Sequence, residues 1–135
     1  MKTPAKIPPM DARAVIERVH DVLVVRTRDD DPYPGVWTFP GGPVEPGDTP
    51  EIALRAHLRR RLGVQVELFV GQPPFLSDVQ GTTITFRYYM CGILAGEPHP
   101  KHWSEYQWVH KARLREFDFE PQARQVVDWL IQEGK

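Results

Sequence analysis

The chain has 135 residues, a formal net charge of −1 and a single cysteine; 41% of its residues are hydrophobic and 26% are charged. This length suits one domain with one real core. The charge balance excludes a global basic field and argues against strong DNA binding, so any anion site must be local, and the lone Cys91 excludes an internal disulfide or a cysteine zinc cluster.

In chain order, residues 1–11 read as a Pro-rich flexible tail and 12–135 as a single domain. The tail has no apolar run of the secretory kind, and no stretch approaches the roughly 18 apolar residues of a membrane span. A cytoplasmic protein with no membrane partner is expected. Ala14-Val15-Ile16 and Val22-Leu23-Val24-Val25 are β-branched runs around a His20-Asp21 turn, which predicts a hairpin. Asp29-Asp30-Asp31-Pro32 and Pro34-Gly35 mark a polar loop. Trp37 to Gly42 alternates like a strand.

The clearest helix follows. Asp48 or Thr49 can cap it, Pro50 suits its first position, Glu51 meets the positive end of its dipole, and Gly63 suits its stop. Leu54, Leu58 and Leu62 recur as its core stripe. Val64 to Val70 reads as a strand, Pro73-Pro74 interrupts the chain, and Thr82 to Leu94 alternates as a long strand. Its Ile84, Phe86, Tyr88 and Met90 share one side. Gly96 to Ser104 is a loop and Tyr106 to Val109 a short strand. Pro121 opens a final helix with Ala123, Val126, Val127, Leu130 and Ile131 at helical spacing. Mixed strands with two main helices predict an α+β sandwich.

The segment Trp37-Thr38-Phe39-Pro40-Gly41-Gly42-Pro43-Val44-Glu45-Pro46-Gly47-Asp48-Thr49 resembles the entry to the Nudix box. That box runs Gly, five residues, Glu, seven residues, then Arg-Glu-aliphatic-any-Glu-Glu-any-Gly-aliphatic. Counted from Gly42, the early acid falls on Asp48, the aliphatics on Leu58 and Val64, and the late glycine on Gly63. The flanks agree, from Val22 to Arg26 and from Glu105 to Pro121. Residues 14–131 are similar to MutT-type nucleotide diphosphatases and to the C-terminal domain of MutY adenine glycosylases. The resemblance implies a Nudix-type α/β/α sandwich with a mixed β-sheet. It also implies hydrolysis of a nucleoside diphosphate linked to another group, with Mg²⁺ or Mn²⁺ neutralising the diphosphate.

The charged half of the box departs from the family pattern. Ala56 stands for Arg, His57 for Glu, and Arg60 and Arg61 for the Glu pair. Positions 57, 60 and 61 lie at i, i+3 and i+4, spacing that shares one helical face. Guanidinium has donors and no acceptor, so the face changes from about −3 to about +2. No catalytic residue is assigned among the box positions Gly42, Asp48, Ala56, His57, Arg60, Arg61 and Gly63, and no metal or cofactor is expected.

Three readings follow. In the first, the protein lacks standard Mg²⁺-dependent hydrolysis and binds a nucleotide or other phosphorylated small molecule. His57, Arg60 and Arg61 then stand in for the metal, Arg26 joins at the phosphates, and Glu45, Trp37 and Phe39 complete the lining. In the second, it is an active MutT-like pyrophosphohydrolase whose Mg²⁺ or Mn²⁺ has moved to other acids, from among Glu45, Asp48, Glu51, Glu97 and Glu105. In the third, it is a scaffold for a protein partner, anchored by Trp37, Trp103 or Tyr106, or a lesion-recognition module. The Asn that reads the oxidised base in MutT-type enzymes aligns near Ala123, with Arg124 next. His99, His102 and His110 sit beside one loop without a recognised zinc spacing and read as surface. Cys91 reads as core.

Overall fold

Strand β1 (Met10–Arg18) sends its alternate side chains into two separate cores. Ala12, Ala14 and Ile16 face one layer, and Val15 faces the other, because successive strand residues point to opposite faces. The computed structural model describes residues 9–133. Met10 and Asp11, expected in the tail, belong to β1; residues 1–8 of that tail lie outside the described residues.

The expected hairpin is present but brief. β1 turns through Val19, with φ 59°, into β2 (Asp21–Arg26) and pairs with it at Glu17–Val22 and Arg18–Asp21. The rest of β1 lies parallel to β7 (Thr82–Ala95) on one edge and antiparallel to β4 (Gly41–Val44) on the other. The segment expected as one strand is two. β3 (Trp37–Thr38) pairs with β2 and β4 pairs with β1, with Phe39 and Pro40 crossing between them. Pro40 has no N–H to give a ladder, which suits it to that crossing.

β5 (Gln65–Gly71) and β6 (Phe75–Val79) both run antiparallel to β7, and β8 (Glu105–His110) runs antiparallel to β2. The sequence reading left β6 out because Pro73-Pro74 precedes it. Its turn is Gln80-Gly81, both at positive φ (48° and 88°), the conformation that a two-residue hairpin loop requires. A 3₁₀ turn at Lys111–Glu116 was likewise not expected.

Helix α1 (Pro50–Leu62) covers one face of the sheet and α2 (Pro121–Glu133) the other. Leu54, Leu58 and Leu62 pack with Ala12, Ala14, Ile16 and Val64. Ala123, Val126, Val127 and Leu130 pack with Val15, Phe39, Phe86 and Tyr88. The result is the α/β/α sandwich expected from the sequence. No helix among the described residues is long and apolar enough to cross a membrane. Cys91 is fully buried, and burial pushes its thiol up to about 12, as befits a core residue.

Leu58 is fully enclosed, whereas Leu76 is 65% exposed. Leu58→Ala is expected to cost about 2–5 kcal/mol in urea unfolding, and Leu76→Ala less than about 0.5 kcal/mol. Equal costs would overturn this assignment of the core.

Candidate functional site

Helix α1 begins at Thr49, whose side chain accepts from the Ile52 N–H at 3.2 Å. It ends at Gly63, which takes φ 78°, where a side chain would be strained. Between these ends the leucine stripe fixes the rotation of the helix. Ala53, Leu54, His57, Leu58 and Leu62 turn inward, Arg61 is half-buried and Arg60 is exposed.

This rotation lays His57 and Arg61 against the backbone of β4. His57 Nε2 lies 2.6 Å from Pro43 O, and Arg61 Nη1 donates to Gly41 O at 3.1 Å. Gly42 stands between the two acceptors. A Cβ there would lie 2.8 Å from Arg61 Nη1 and 2.9 Å from His57 Nε2. The glycine therefore permits an approach that any side chain would block.

A carbonyl oxygen can only accept, so His57 Nε2 carries the proton and Nδ1 is left with a lone pair. That Nδ1 is buried and has no hydrogen-bond partner. Burial lowers the His57 pKa. The bond to Pro43 opposes the shift, while Arg61 and Arg60 reinforce it. His57 is thus held neutral.

Beyond this tie lies a cleft of about 290 Å³ lined by β1, β4, the end of β6, β7, α1, the start of α2 and the loops beside them. Its floor is a closed polar network. Arg13 donates to Thr38 Oγ1 and Phe39 O at 3.0 Å and pairs with Asp11 and Glu120. Glu120 also accepts from Thr38 and Gln122, and Gln122 accepts from Tyr88 at 2.6 Å. Phe86 and Ile84 give the floor its apolar part, and Tyr33 comes from the loop after β2. At the rim, Arg61 Nη1 lies 3.3 Å from His102 Nε2.

The residues present do not fit a hard divalent cation on the α1 face. Mg²⁺ and Mn²⁺ want oxygen ligands. The two β4 carbonyls here, Gly41 O and Pro43 O, already accept from side chains of α1. The acids considered for a displaced site do not gather. Glu51 accepts from Tyr89 Oη at 2.7 Å, Glu105 pairs with Arg26 at 3.5 Å, and Glu45, Asp48 and Glu97 are exposed. Among the described residues, no three of His, Cys, Asp or Glu cluster as metal ligands would.

Several residues expected at one site stand apart. Of the box positions, Ala56 is half-buried and makes no polar contact of its own, and Arg60 points to solvent, because the leucine stripe turns 57 and 61 inward instead. His57 cannot serve as a phosphate donor, since its one N–H is spent on Pro43. Phe39 is fully buried in the α2-side core and so cannot form a wall for a base. Trp37 packs edge-on against Phe117, with ring centroids 5.2 Å apart. Arg26 donates to Gly35 O at 3.1 Å and lines a different groove with Arg28 and Asp30. Glu45 lines a third groove, beside Met10 and Pro50.

Of the proposed protein anchors, Trp103 is buried, and Tyr106 is about one-third exposed, at 36%. Ala123 is buried in the α2-side core, and its neighbour Gln122 is the one that reaches the cleft. Arg124 lies outside the cleft and donates to Phe119 O at 3.2 Å. His110 caps Ala112 N at 3.1 Å, and His99 is exposed. Arg13, Glu120, Gln122, Phe86 and His102 were not foreseen as cleft residues. Phe86 carried a partial signal in the alternation of β7. The others depend on contacts between distant segments.

Comparison with known proteins identifies relatives. The NUDIX domain family model matches residues 8–130. An 8-oxo-dGTP diphosphatase of Haemophilus influenzae is 31% identical over 98 residues, covering 70% of each chain. The nucleoside triphosphatase NudI of Enterobacter sp. (strain 638) is 32% identical over 104 residues, covering 68% of this chain and 74% of its own. Among solved structures, a MutT NUDIX hydrolase from Burkholderia pseudomallei superposes with TM-score 0.80 at 21% identity, covering 91% of this chain and 98% of its own.

The geometry of His57 sets a pH dependence. Its folded pKa lies below its unfolded value, so the unfolded chain binds the proton more readily. The contribution to stability is complete above the unfolded value of about 6.5 and is lost as pH falls toward the folded one. Urea unfolding from about pH 7.5 to about pH 5.5 is expected to show a larger loss for wild type than for His57→Gln, whose amide can still donate to Pro43. Equal losses would contradict the neutral, buried imidazole.

Proposed function

The chain belongs to the NUDIX domain family, and on that premise we propose that it takes a nucleoside triphosphate or diphosphate in the cleft beside α1 and hydrolyses it. The supporting observation is the identity, above 30% over about two thirds of the chain or more, to proteins named 8-oxo-dGTP diphosphatase and nucleoside triphosphatase. These relatives favour turnover over a fold that only binds. The cleft suits the ligand class: the half-buried Tyr33 and Ile84 offer surfaces for a base, over a floor of buried polar groups that includes Glu120 and Gln122. The proposal extends to the nucleotide class and stops short of the oxidised base, since the buried Ala123 brings no amide to the cleft.

A second reading has its own observation behind it. In this reading the protein binds the nucleotide without standard metal-dependent hydrolysis. The α1 face at His57, Arg60 and Arg61 presents donors and cations where Mg²⁺ or Mn²⁺, the cofactor that the family resemblance implies, would need oxygens. Both readings use the same cleft and the same class of ligand.

A panel of nucleoside triphosphates, dinucleotides and nucleotide sugars, assayed with Mg²⁺ and with Mn²⁺, separates them. Turnover is the expected result for the hydrolase, and its loss in EDTA would mean that the metal arrives with the nucleotide, since the α1 face does not fit one. Thermal stabilisation by nucleotide with no turnover would replace it with the second reading; a ligand at 100 times its Kd adds about 2.7 kcal/mol. If no nucleotide is turned over and none shifts the melting temperature, the nucleotide proposal falls in both forms.

A further inference from the structure

Arg61 brings a guanidinium into a cleft whose other charged lining residues are Arg13, Asp11, Asp31 and Glu120. Its neighbour Arg13 is different, because Asp11 and Glu120 both pair with it. Arg61 makes no ion pair among the described residues. Burial disfavours its charge, and Arg13 and Arg60 add repulsion that Asp11 offsets only in part. A half-buried guanidinium in such surroundings gains most from an anion.

The orientation of the group favours a particular kind of anion. Nη1 donates to Gly41 O at 3.1 Å and faces His102 Nε2 at 3.3 Å. Guanidinium cannot accept, so Nε2 of His102 is the acceptor and the ring is neutral on that side. With Nη1 directed at two acceptors, the guanidinium plane is held. The Nε–Nη2 edge has no hydrogen-bond partner among the described residues. Its parallel N–H groups match two oxygens of one phosphate.

We infer that Arg61, steadied by Gly41 O and His102, holds a phosphate oxyanion of the ligand directly, with no divalent cation between them. Two tasks that a metal could perform at this junction, joining helix to loop and neutralising phosphate, fall here to side chains of α1. His57 and Nη1 of Arg61 make the join, and the other edge of Arg61 supplies the charge. The inference rests on the nucleotide reading for the ligand's class; inorganic polyphosphate shares the same chemistry.

Isothermal titration of the full chain with each deoxynucleoside triphosphate and with inorganic tripolyphosphate, in EDTA and in Mg²⁺, tests it. Binding in EDTA at least as tight as in Mg²⁺ is expected. Arg61→Gln should weaken it about tenfold or more, the worth of a charged hydrogen-bond pair, and the exposed Arg60→Gln less than about twofold. Arg61→Lys keeps the charge without the fork and should fall between, with its melting temperature confirming the fold if Arg61→Gln proves unstable. Tripolyphosphate binding as well as a nucleotide would identify a polyphosphate site, and a clear preference for one nucleotide would add a base contact; either supports the Arg61 contact when Arg61→Gln weakens it and Arg60→Gln does not. Binding that requires Mg²⁺, or equal loss in the Arg60 and Arg61 variants, would overturn the inference and leave the nucleotide reading intact. No heat from any triphosphate in either medium would remove both.

Discussion

Helix α1 approaches β4 so closely that a side chain at position 42 would meet Arg61 Nη1 at 2.8 Å and His57 at 2.9 Å. This contact places the carbonyls of Gly41 and Pro43 within reach of the helix, and the character of the site follows from what reaches them. An acidic helix would repel those oxygens unless a cation lay between. Here the helix brings donors, and the junction closes by direct hydrogen bonds. The frame of the box and the content of the box are therefore separable. Gly42, Leu58 and Gly63 shape the junction, while positions 57, 60 and 61 decide its electrostatics.

The two arginines of the cleft show how burial sorts charges. Arg13 lies deep and is surrounded by Asp11, Glu120, Thr38 and Phe39 O, so its charge is compensated and its donors are used. Removing both acids would leave an uncompensated buried cation, a costly arrangement. Arg61 lies nearer the rim, where partial solvation makes the lack of a carboxylate tolerable. The cleft thus holds one arginine paired with acids and one without an ion pair among the described residues.

Much of the fold was legible in the sequence because its signals are local. The Thr49 and Gly63 caps, the leucine stripe of α1, the alternation of β7 and the Pro121 start of α2 all act within a few residues. The errors came where pairing partners are remote. The strand expected from Trp37 to Gly42 divides because β2 and β1 each claim part of it. β6 follows the Pro73-Pro74 break, and only its pairing with β7 across the Gln80-Gly81 turn makes it a strand. Phe39 looked like a pocket wall next to the glycines, yet the crossing between sheets carries it into the α2-side core.

For the candidate site, the sequence alone determined the inventory: a Nudix frame whose metal-binding positions hold a histidine and two arginines. That much depends only on residue identity and spacing, since no fold can give guanidinium a lone pair for a metal. Tertiary structure decided which of these residues reach the cleft. Helical spacing put 57, 60 and 61 on neighbouring positions. Packing of Leu54, Leu58 and Leu62 then set the rotation that buries His57, exposes Arg60 and leaves Arg61 facing the cleft. Arg13, Glu120, Gln122 and His102 joined Arg61 only because β1, the start of α2 and the loop after β7 converge there. Such convergence is set by the packing of the whole domain, and no local pattern records it.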